Sequence, residues 1–523
     1  MRLSLTLERE YGFVVKRPGA FARLPAVLAC LGTPEATVRR RALTDTYLDT
    51  DDLLLAKAGA GCRVRVSGES AEATLKSLAP ADDGLAVRNE WSEPLRRTAV
   101  GLWLRGLPRG GALAARLHPL LRGARLRVLF RLRQDRTVYR VRTRDGSLIQ
   151  VSADSVRWGG NRPRPALLEI EIELLGGSVE SLRRVAAKLK KKLDLRPAKE
   201  SKYAYGLRLA GLSRPGPPER RPRGPRARRI GEALRAVIEA QTARLLWHRP
   251  GATLGLNSEP VHDMRVAIRR LRAALRVFDK ALPPDLAGPL EAGLKRLAAA
   301  LGVVRDLDVH AERVARDAAS LEVADNPAVV EYLRRLDRGR GEAQRRLARE
   351  LNSARFASVA RRLDEAAARL PPPGGRPQGP AATNVAQALA LVRPFFLKVR
   401  RDGGRVRPNS PDASFHRLRI RCKRLRYACE FLRPAIGANA RTYAARLARL
   451  QEVLGRHHDS VMAAGTIRRF LATPAARRRP GKWSALRRLA AHLTRQSRAE
   501  RREFFGAWKH FDRKRIHGLL FAR

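Results

Sequence analysis

The chain has 523 residues, too many for one hydrophobic core, and its 44% hydrophobic and 30% charged composition is that of folded domains rather than a disordered tract. A formal net charge of +57, from 107 Lys+Arg against 50 Asp+Glu, points to a polyanionic partner: nucleic acid, inorganic polyphosphate or an anionic membrane surface. No apolar run is long enough to span a bilayer, Glu8 and Glu10 interrupt any signal-peptide core, and four cysteines are too few for a disulfide framework, so a reducing, cytoplasmic setting is expected.

From residue 3 to about 175 the chain alternates polar with apolar residues. "LSLTLERE", "CRVRVSG", "EATLKSL", "VLFRLRQDRTVYRVRT", "LIQVSAD" and "LLEIEIELL" each read as a strand, with helical pieces near 21–31 and 178–193. Glu8 and Glu10 share one parity, as do Arg63 and Arg65, and so do Glu169, Glu171 and Glu173. Taken singly, "EIEIEL" or "RVRV" is an ordinary solvated strand face. If the sheet closes on itself, the same residues line an interior.

The stretch 211–229, "GLSRPGPPERRPRGPRARR", reads as a semi-rigid basic linker. Beyond it the period becomes helical, interrupted by Pro/Gly breaks at 371–383 and 400–412. In "VHDMRVAIRRLRAALR" (261–276), His262, Arg265, Arg269, Arg272 and Arg276 fall in one stripe, because a helix turns about 100° per residue. Met264, Ile268, Leu271, Leu275 and Phe278 form a separate apolar stripe that anchors the helix. Like charges one turn apart repel by a few tenths of a kcal/mol each, so an external anion is the expected compensation.

This pattern recurs. Aligning His262 with His416 places Arg265 on Arg419, Arg269 on Lys423 and Arg272 on Arg426. Downstream, "LGVVRDLDV" (301–309) matches "LGRHHDSVM" (454–462), which sets Arg305 opposite His458 and Asp306 opposite Asp459 at nearly the same spacing in both copies. Generic amphipathic helices do not share a second motif at a fixed distance, so two related helical bundles in tandem are expected.

The paired motifs "VHDMRVAIRRLRAALRVF"/"LGVVRDLDV" and "FHRLRIRCKRLRYACEFL"/"LQEVLGRHHDSV" closely resemble the CHAD domain over roughly 225–520. Over about 1–210, the segments Glu8-Arg-Glu10, "YLDTDDLLLAKAGAGCRVRV", "ATLKSL", "RNEW", "EIEIEL" and "ESKYAYGL" resemble the CYTH domain. That is the triphosphate tunnel fold of adenylate cyclases and of thiamine or inorganic triphosphatases. The resemblance implies an α+β multidomain protein: an N-terminal antiparallel β-barrel with helices, then all-α tandem four-helix bundles with pseudo-twofold symmetry. The domains would be 1–210, a linker at 211–229, and 230–523 in halves of about 230–370 and 384–520.

The resemblance also implies residue roles. In the tunnel, Glu8, Glu10, Arg63, Arg65, Lys76, Glu90, Arg131, Arg133 and Lys202 would hold a triphosphate. Glu8, Glu10, Glu169, Glu171 and Glu173 would hold Mg²⁺ or Mn²⁺, hard cations suited to carboxylates. In the helical half, His262, Arg265, Arg269, Arg272, Arg276, His416, Arg419, Lys423, Arg426 and His458 would bind inorganic polyphosphate, with association to polyphosphate granules as a consequence. One position departs from the family's Glu-x-Glu-x-Lys strand: Gly12 stands where the lysine is usual. The alternatives are therefore a weakened triphosphatase and a non-catalytic polyphosphate-binding scaffold. A non-specific nucleic-acid binder is the less favoured rival, since the arginine rows lack Asn/Gln for base readout and few aromatics accompany them. Specific nucleic-acid recognition and membrane association are not expected, and arginines around His457, His458 and Asp459 disfavour a metal there.

Overall fold

The computed structural model describes residues 4–35, 39–78, 84–159, 166–216, 230–372 and 385–521. Of the basic linker, residues 217–229 lie outside the described residues, as do 373–384 of the second Pro/Gly break. Two compact units divide the chain: Met1–Pro217 with His248–Pro260, and Pro218–Trp247 with Val261–Arg523. A later segment, His248–Pro260, is grouped with the first unit.

In the first unit eight long antiparallel strands form a ring. They are β1 (Ser4–Val14), β2 (Arg39–Asp49), β3 (Ala60–Ser67), β4 (Ser70–Ser77), β5 (Leu85–Leu95), β6 (Arg127–Arg142), β7 (Leu148–Trp158) and β8 (Leu167–Gly176). The order is β1-β5-β4-β3-β2-β6-β7-β8, and β8 pairs back with β1 through Glu10↔Glu173, Gly12↔Glu171 and Val14↔Glu169. This closure makes the barrel. It also inverts the usual arrangement, because the apolar parity faces outward against helices while the charged parity faces in.

Helices cover the outside. Phe13, Ile149, Val151, Ile170 and Ile172 pack with Leu24 and Leu28 of α1 (Gly19–Ala29). Two further helices, α2 (Arg97–Arg105) and α3 (Ala112–Leu121), lay Trp103, Leu113 and Leu117 on Cys62, Val64, Leu75 and Trp91. On the first face, α4 (Val179–Lys192) adds Leu182, Val185 and Leu189. One end of the barrel is plugged by α5 (Lys202–Leu209), whose Tyr203 and Leu207 meet Tyr47, Leu132 and Val156. A methyl at Gly206 would lie 2.2 Å from the Phe130 ring, so only glycine allows α5 this approach.

The "YLDTDD" turn has a structural explanation. The buried Asp49 carboxylate accepts N–H bonds from Thr50, Leu55 and Ala56 at 2.7, 2.8 and 2.9 Å. Burial nevertheless pushes its pKa up to about 6.

The second unit is helical throughout its described residues. Its helices are α6 (Ile230–Leu254, partly in each unit), α7 (Glu259–Val277), α8 (Pro284–Ser320), α9 (Pro327–Leu351), α10 (Ala354–Ala368), α11 (Val385–Arg405), α12 (Asp412–Phe431), α13 (Ala438–Leu471), α14 (Ser484–Phe511) and α15 (Lys514–Phe521). The two repeated motifs occupy matching elements: the His/Arg stripes lie on α7 and α12, and the "LG" motifs on the long helices α8 and α13. On α7 the apolar stripe is the buried one, with Met264, Ile268, Leu271 and Phe278 at 0–2% exposure. Among the described residues no helix is long and apolar enough to cross a membrane.

Candidate functional site

Strand register fixes the barrel interior. Starting at β2, Asp45 lies opposite Arg65 and Tyr47 opposite Arg63 on β3. Arg63 faces Thr74 and Arg65 faces Glu72 on β4, and Lys76 faces Glu90 on β5. Arg88 pairs with Glu8, and the ring closes through Glu173↔Gln150, Glu171↔Ser152, Glu169↔Asp154 and Asp154↔Arg136. Directly paired residues point to the same face, so one continuous charged lining results.

The lining is organised in three groups. Near β2 and β3, Arg65 bonds Asp45 through two nitrogens at 2.7 Å, Gln134 donates to Asp45 at 2.8 Å, and Arg63 lies 3.6 Å away. Asp45 is fully buried; burial opposes its charge, yet the two guanidiniums hold its pKa below the ordinary value. Near β1, Lys76 bridges Glu8 and Glu10, and Arg88 bonds Glu10 at 2.6 Å. Burial pushes Glu8 up to about 8 despite Lys76. The third group joins β7, β8 and α5: Lys202 Nζ sits 2.8, 2.9 and 2.7 Å from Asp154, Glu169 and Glu171. Arg136 bonds Asp154 at 2.6 Å and Glu171 at 2.5 Å. Burial lifts Glu169 to about 7, whereas Lys202 and Arg136 overcome burial and keep Glu171 well below its ordinary value.

Asp154, Glu169 and Glu171 are the described carboxylates close enough together to share one ion. Three carboxylate donors fit a hard divalent cation. In this arrangement, however, the Lys202 ammonium already occupies their midst. Of the five acids expected to hold metal, Glu169 and Glu171 fall in this group, while Glu8 and Glu10 are engaged by Lys76 and Arg88. Glu173 lies beside Glu10, with burial raising its pKa to about 7.

Arg131 and Arg133 are a correction. Both are exposed and have the parity opposite to Gln134 and Arg136, so they stand on the outer wall. The interior positions of that strand carry Gln134, Arg136 and Arg140 instead. Asp45, Arg88, Arg136 and Asp154 complete the lining without having been expected from sequence. Gly12 opposes Glu171, and a Cβ there would meet Glu169 Oε1 at 3.5 Å and Ala198 Cβ at 3.6 Å, an ordinary fit.

In the helical unit the cation stripes divide by what faces them. Arg272 and Arg276 reach Glu291 at 2.8 and 2.6 Å, Arg426 lies 3.4 Å from Glu430, and Arg265 3.4 Å from Asp306. His262 is half-buried on the same stripe. Arg269 instead donates to Tyr427 Oη at 2.7 Å, which brings the first copy's stripe to the second copy. There Arg419, Lys423, His416 and His458 gather, with the two histidine Nδ1 atoms 3.1 Å apart and their rings 4.3 Å between centroids. Burial, then neighbouring cations, push Lys423 down to about 7 and His458 to about 4, and lower His416 and Arg419. Asp459 faces this group, its own pKa raised by burial.

The glycine of each "LG" motif makes room for these cations. A Cβ at Gly302 would meet the Arg265 guanidinium at 3.0 Å, and one at Gly455 the Arg419 Nε at 3.7 Å. Because Arg265 and Arg419 are themselves repeat equivalents, the two motifs keep their spacing so that a small residue on one helix fits an arginine on its neighbour.

A closed antiparallel barrel with an acid and cation lining, followed by a helical unit with repeated His/Arg helices, defines a two-part architecture. The family comparisons match it: the CYTH domain model covers residues 7–206 and the CHAD domain model covers 236–468. The chain therefore carries a CYTH domain, which is the barrel, followed by a CHAD domain. Two uncharacterized proteins of Mycobacterium tuberculosis, from different strains, are each 28% identical over 302 residues, 56% of this chain and 55% of theirs. The chain thus spans about half the length of the curated relatives it matches. Among solved structures, the CHAD domain from the plant Ricinus communis has 23% identity and a TM-score of 0.44, covering 56% of this chain and 96% of its own. A putative adenylyl cyclase from Hippeastrum, described as having a dominant triphosphatase activity, has 17% identity and a TM-score of 0.31, covering 39% and 96%.

Proposed function

We propose that the barrel binds and hydrolyses inorganic triphosphate with Mg²⁺ or Mn²⁺, and that the helical unit binds inorganic polyphosphate. The observation that carries the first half is the barrel interior, in which Arg63, Arg65, Arg136 and Glu8 line one cavity, and Lys76 and Lys202 pair on the same inner face with Glu8, Glu10, Glu169, Glu171 and Asp154. Phosphoryl transfer to water is chiefly a matter of positioning and charge neutralisation, and this lining supplies both.

Asp154, Glu169 and Glu171 would hold the divalent ion, which when bound neutralises phosphate oxygens. Arg63, Arg65 and Arg136 then orient the chain by bidentate contacts. Lys202 moves from the carboxylates to a phosphate oxygen. Glu8, with its raised pKa, accepts a proton from the attacking water.

The test is phosphate release from tripolyphosphate by the full chain with either metal. Turnover that falls by about 10²-fold in Arg63→Ala sustains the reading. Activity equal in both proteins would leave the non-catalytic scaffold. Gly12→Lys separates the two further, since an added cation beside Glu171 raises a weakened turnover and does nothing for a scaffold.

Polyphosphate binding is supported by the cluster of Arg269, Arg419, Lys423, His416 and His458, in which burial and neighbouring cations lower Arg419, Lys423, His416 and His458 although Asp459 faces them. A flexible chain with no bases to read suits such a surface. Competition between polyphosphate and duplex DNA at physiological salt tests it: DNA displacing polyphosphate at equal phosphate concentration would favour the nucleic-acid reading. A cytoplasmic location and association with polyphosphate granules accord with this reading.

A further inference from the structure

The tunnel carries more cations than three phosphates need. Its cavity of about 510 Å³ is lined by Arg63, Arg65 and Arg136, whose side chains reach the buried acids, and by Arg39, Arg41 and Arg140; Arg41 stands directly opposite Arg136 in the strand register, and Arg39 two residues beyond. Tyr47 marks the end plugged by α5, and Arg39 is eight residues back along β2, about 26 Å at a strand rise of 3.3 Å per residue. Two P–O–P links, the length of a triphosphate, cover only the deep part of that distance.

The outer arginines are exposed, and among the described residues Arg39 and Arg41 have no ion-pair partner. The acids on this part of the lining are occupied or distant. Glu35 lies 3.9 Å from Arg140 and 3.7 Å from Arg142, and Glu72 is set opposite Arg65. No aromatic ring lines the cavity among the described residues; the apolar lining is Leu43, Ala71, Pro94 and Val138. A nucleoside or thiamine moiety would find nothing to stack on, whereas further phosphates would find guanidiniums.

We propose that Arg39, Arg41 and Arg140 form an outer phosphate subsite that takes the continuation of an inorganic phosphate chain whose terminal units lie in the deep tunnel. This rests on the triphosphate-tunnel reading above and narrows it: the ligand is the end of a longer inorganic polyphosphate in preference to an organic triphosphate.

Arginine modification read residue by residue tests it. The full chain is treated with phenylglyoxal at physiological salt, alone or with tripolyphosphate, ATP or an inorganic polyphosphate of several tens of units, and modified peptides are mapped by mass spectrometry. Tripolyphosphate is expected to protect Arg63, Arg65 and Arg136 but neither Arg39 nor Arg41, and the longer chain to protect Arg39 and Arg41 as well. Arg40, exposed on the opposite parity of the same strand, is the internal control and stays reactive in every arm. Protection of Arg63 and Arg65 but not of Arg39 and Arg41 by the longer chain would overturn the subsite while leaving the tunnel reading intact. Equal protection of Arg40 would reduce the effect to general coating by a polyanion, and protection of Arg39 and Arg41 by ATP would overturn the preference. No protection at Arg63 or Arg65 by any ligand would bring down the tunnel reading itself. Where turnover is measurable, Arg39→Gln/Arg41→Gln is expected to raise KM for the longer chain on the order of tenfold and leave that for tripolyphosphate unchanged.

Discussion

Replacing Lys202 by methionine keeps most of the side-chain volume and removes one buried charge from three carboxylates. Lys202 and Asp154 have side chains 9% and 0% exposed, and Glu169 6%, so solvent cannot substitute for the lost ammonium. Breaking a buried pair from one side costs about 3–5 kcal/mol. For a unit of this size that corresponds to a fall in melting temperature of roughly 6–20 °C. Arg136 remains, but its two nitrogens already serve Asp154 and Glu171.

The deficit should depend on pH, and its sign can be worked out. Glu169, raised by burial to about 7 even with Lys202 beside it, should rise further without that ammonium. A group so raised contributes stability that is present at low pH and lost as pH rises through the folded value. Wild-type Glu171, held low, contributes in the opposite sense: its stabilisation is present above the unfolded pKa and fades as pH falls. Both effects narrow the gap at acid pH, so the variant should lie closest to wild type near pH 5 and farthest near pH 8. Saturating Mg²⁺ should restore part of the loss, about 2.7 kcal/mol at 100 times Kd, because it binds the folded cluster. Scanning calorimetry across pH, with and without Mg²⁺, reads all three. A fall below about 2 °C, or one that does not vary with pH, would refute the view that Lys202 compensates a buried acid cluster.

Other consequences are equally direct. Arg136→Ala should lower tripolyphosphate turnover by about 10²-fold, while Arg133→Ala, on the outer wall, should leave it unchanged; steady-state phosphate release separates them. Gly206→Ala drives a methyl into Phe130 and should destabilise the plugged barrel by about 1–3 kcal/mol, read as a lower melting temperature. Lys423, lowered to about 7, is charged below that pH and neutral above it. Polyphosphate affinity should therefore fall as pH rises through 7, and Lys423→Arg should flatten that part of the profile in binding titrations.

Most strands and the helical half are legible because their periodicities differ, 2 against 3.6, and the repeat is legible because two motifs keep a common spacing. Parity within a strand located Glu8, Glu10, Arg63 and Arg65 on one side. What parity alone cannot supply is which side of a long strand faces in. On Arg127–Arg142 both parities carry arginine, and the choice between Arg131/Arg133 and Arg136/Arg140 is set by pairing with Asp154 and Gln150 on the next strand. Asp154 and Asp45 were hidden for a related reason. Each is a single acid within a mostly uncharged or mixed run, and its role comes from a partner 18 or 20 positions away in sequence. Likewise, the helical stripe is visible in the sequence, but Glu291, which neutralises Arg272 and Arg276, comes from the next helix, whereas Glu430 continues the second stripe one turn past Arg426.

If both basic sites bind phosphate as proposed, they do so under different electrostatic terms. In the tunnel the inner cations start on carboxylates: Arg65 on Asp45, Lys76 on Glu8 and Glu10, Lys202 on the acid triad. A phosphate chain entering there would have to exchange with those acids, and the freed carboxylates of Asp154, Glu169 and Glu171 would be the ones to hold a divalent ion, whose charge would favour the exchange. Binding should then require metal and discriminate by geometry, since only a ligand that reaches several cations at once compensates the acids it displaces. On the helical face, Arg419, Lys423 and the histidine pair crowd one another with Asp459 as the acid that faces them, so a bound polyanion would relieve repulsion on contact. That binding should need no metal, should tolerate chain length, and should weaken steeply with salt, because counterion release and not fit drives it. Metal dependence and salt dependence measured side by side therefore distinguish the two sites within one chain. A tunnel that bound tripolyphosphate equally well with and without divalent ions would contradict the exchange that its buried ion pairs demand.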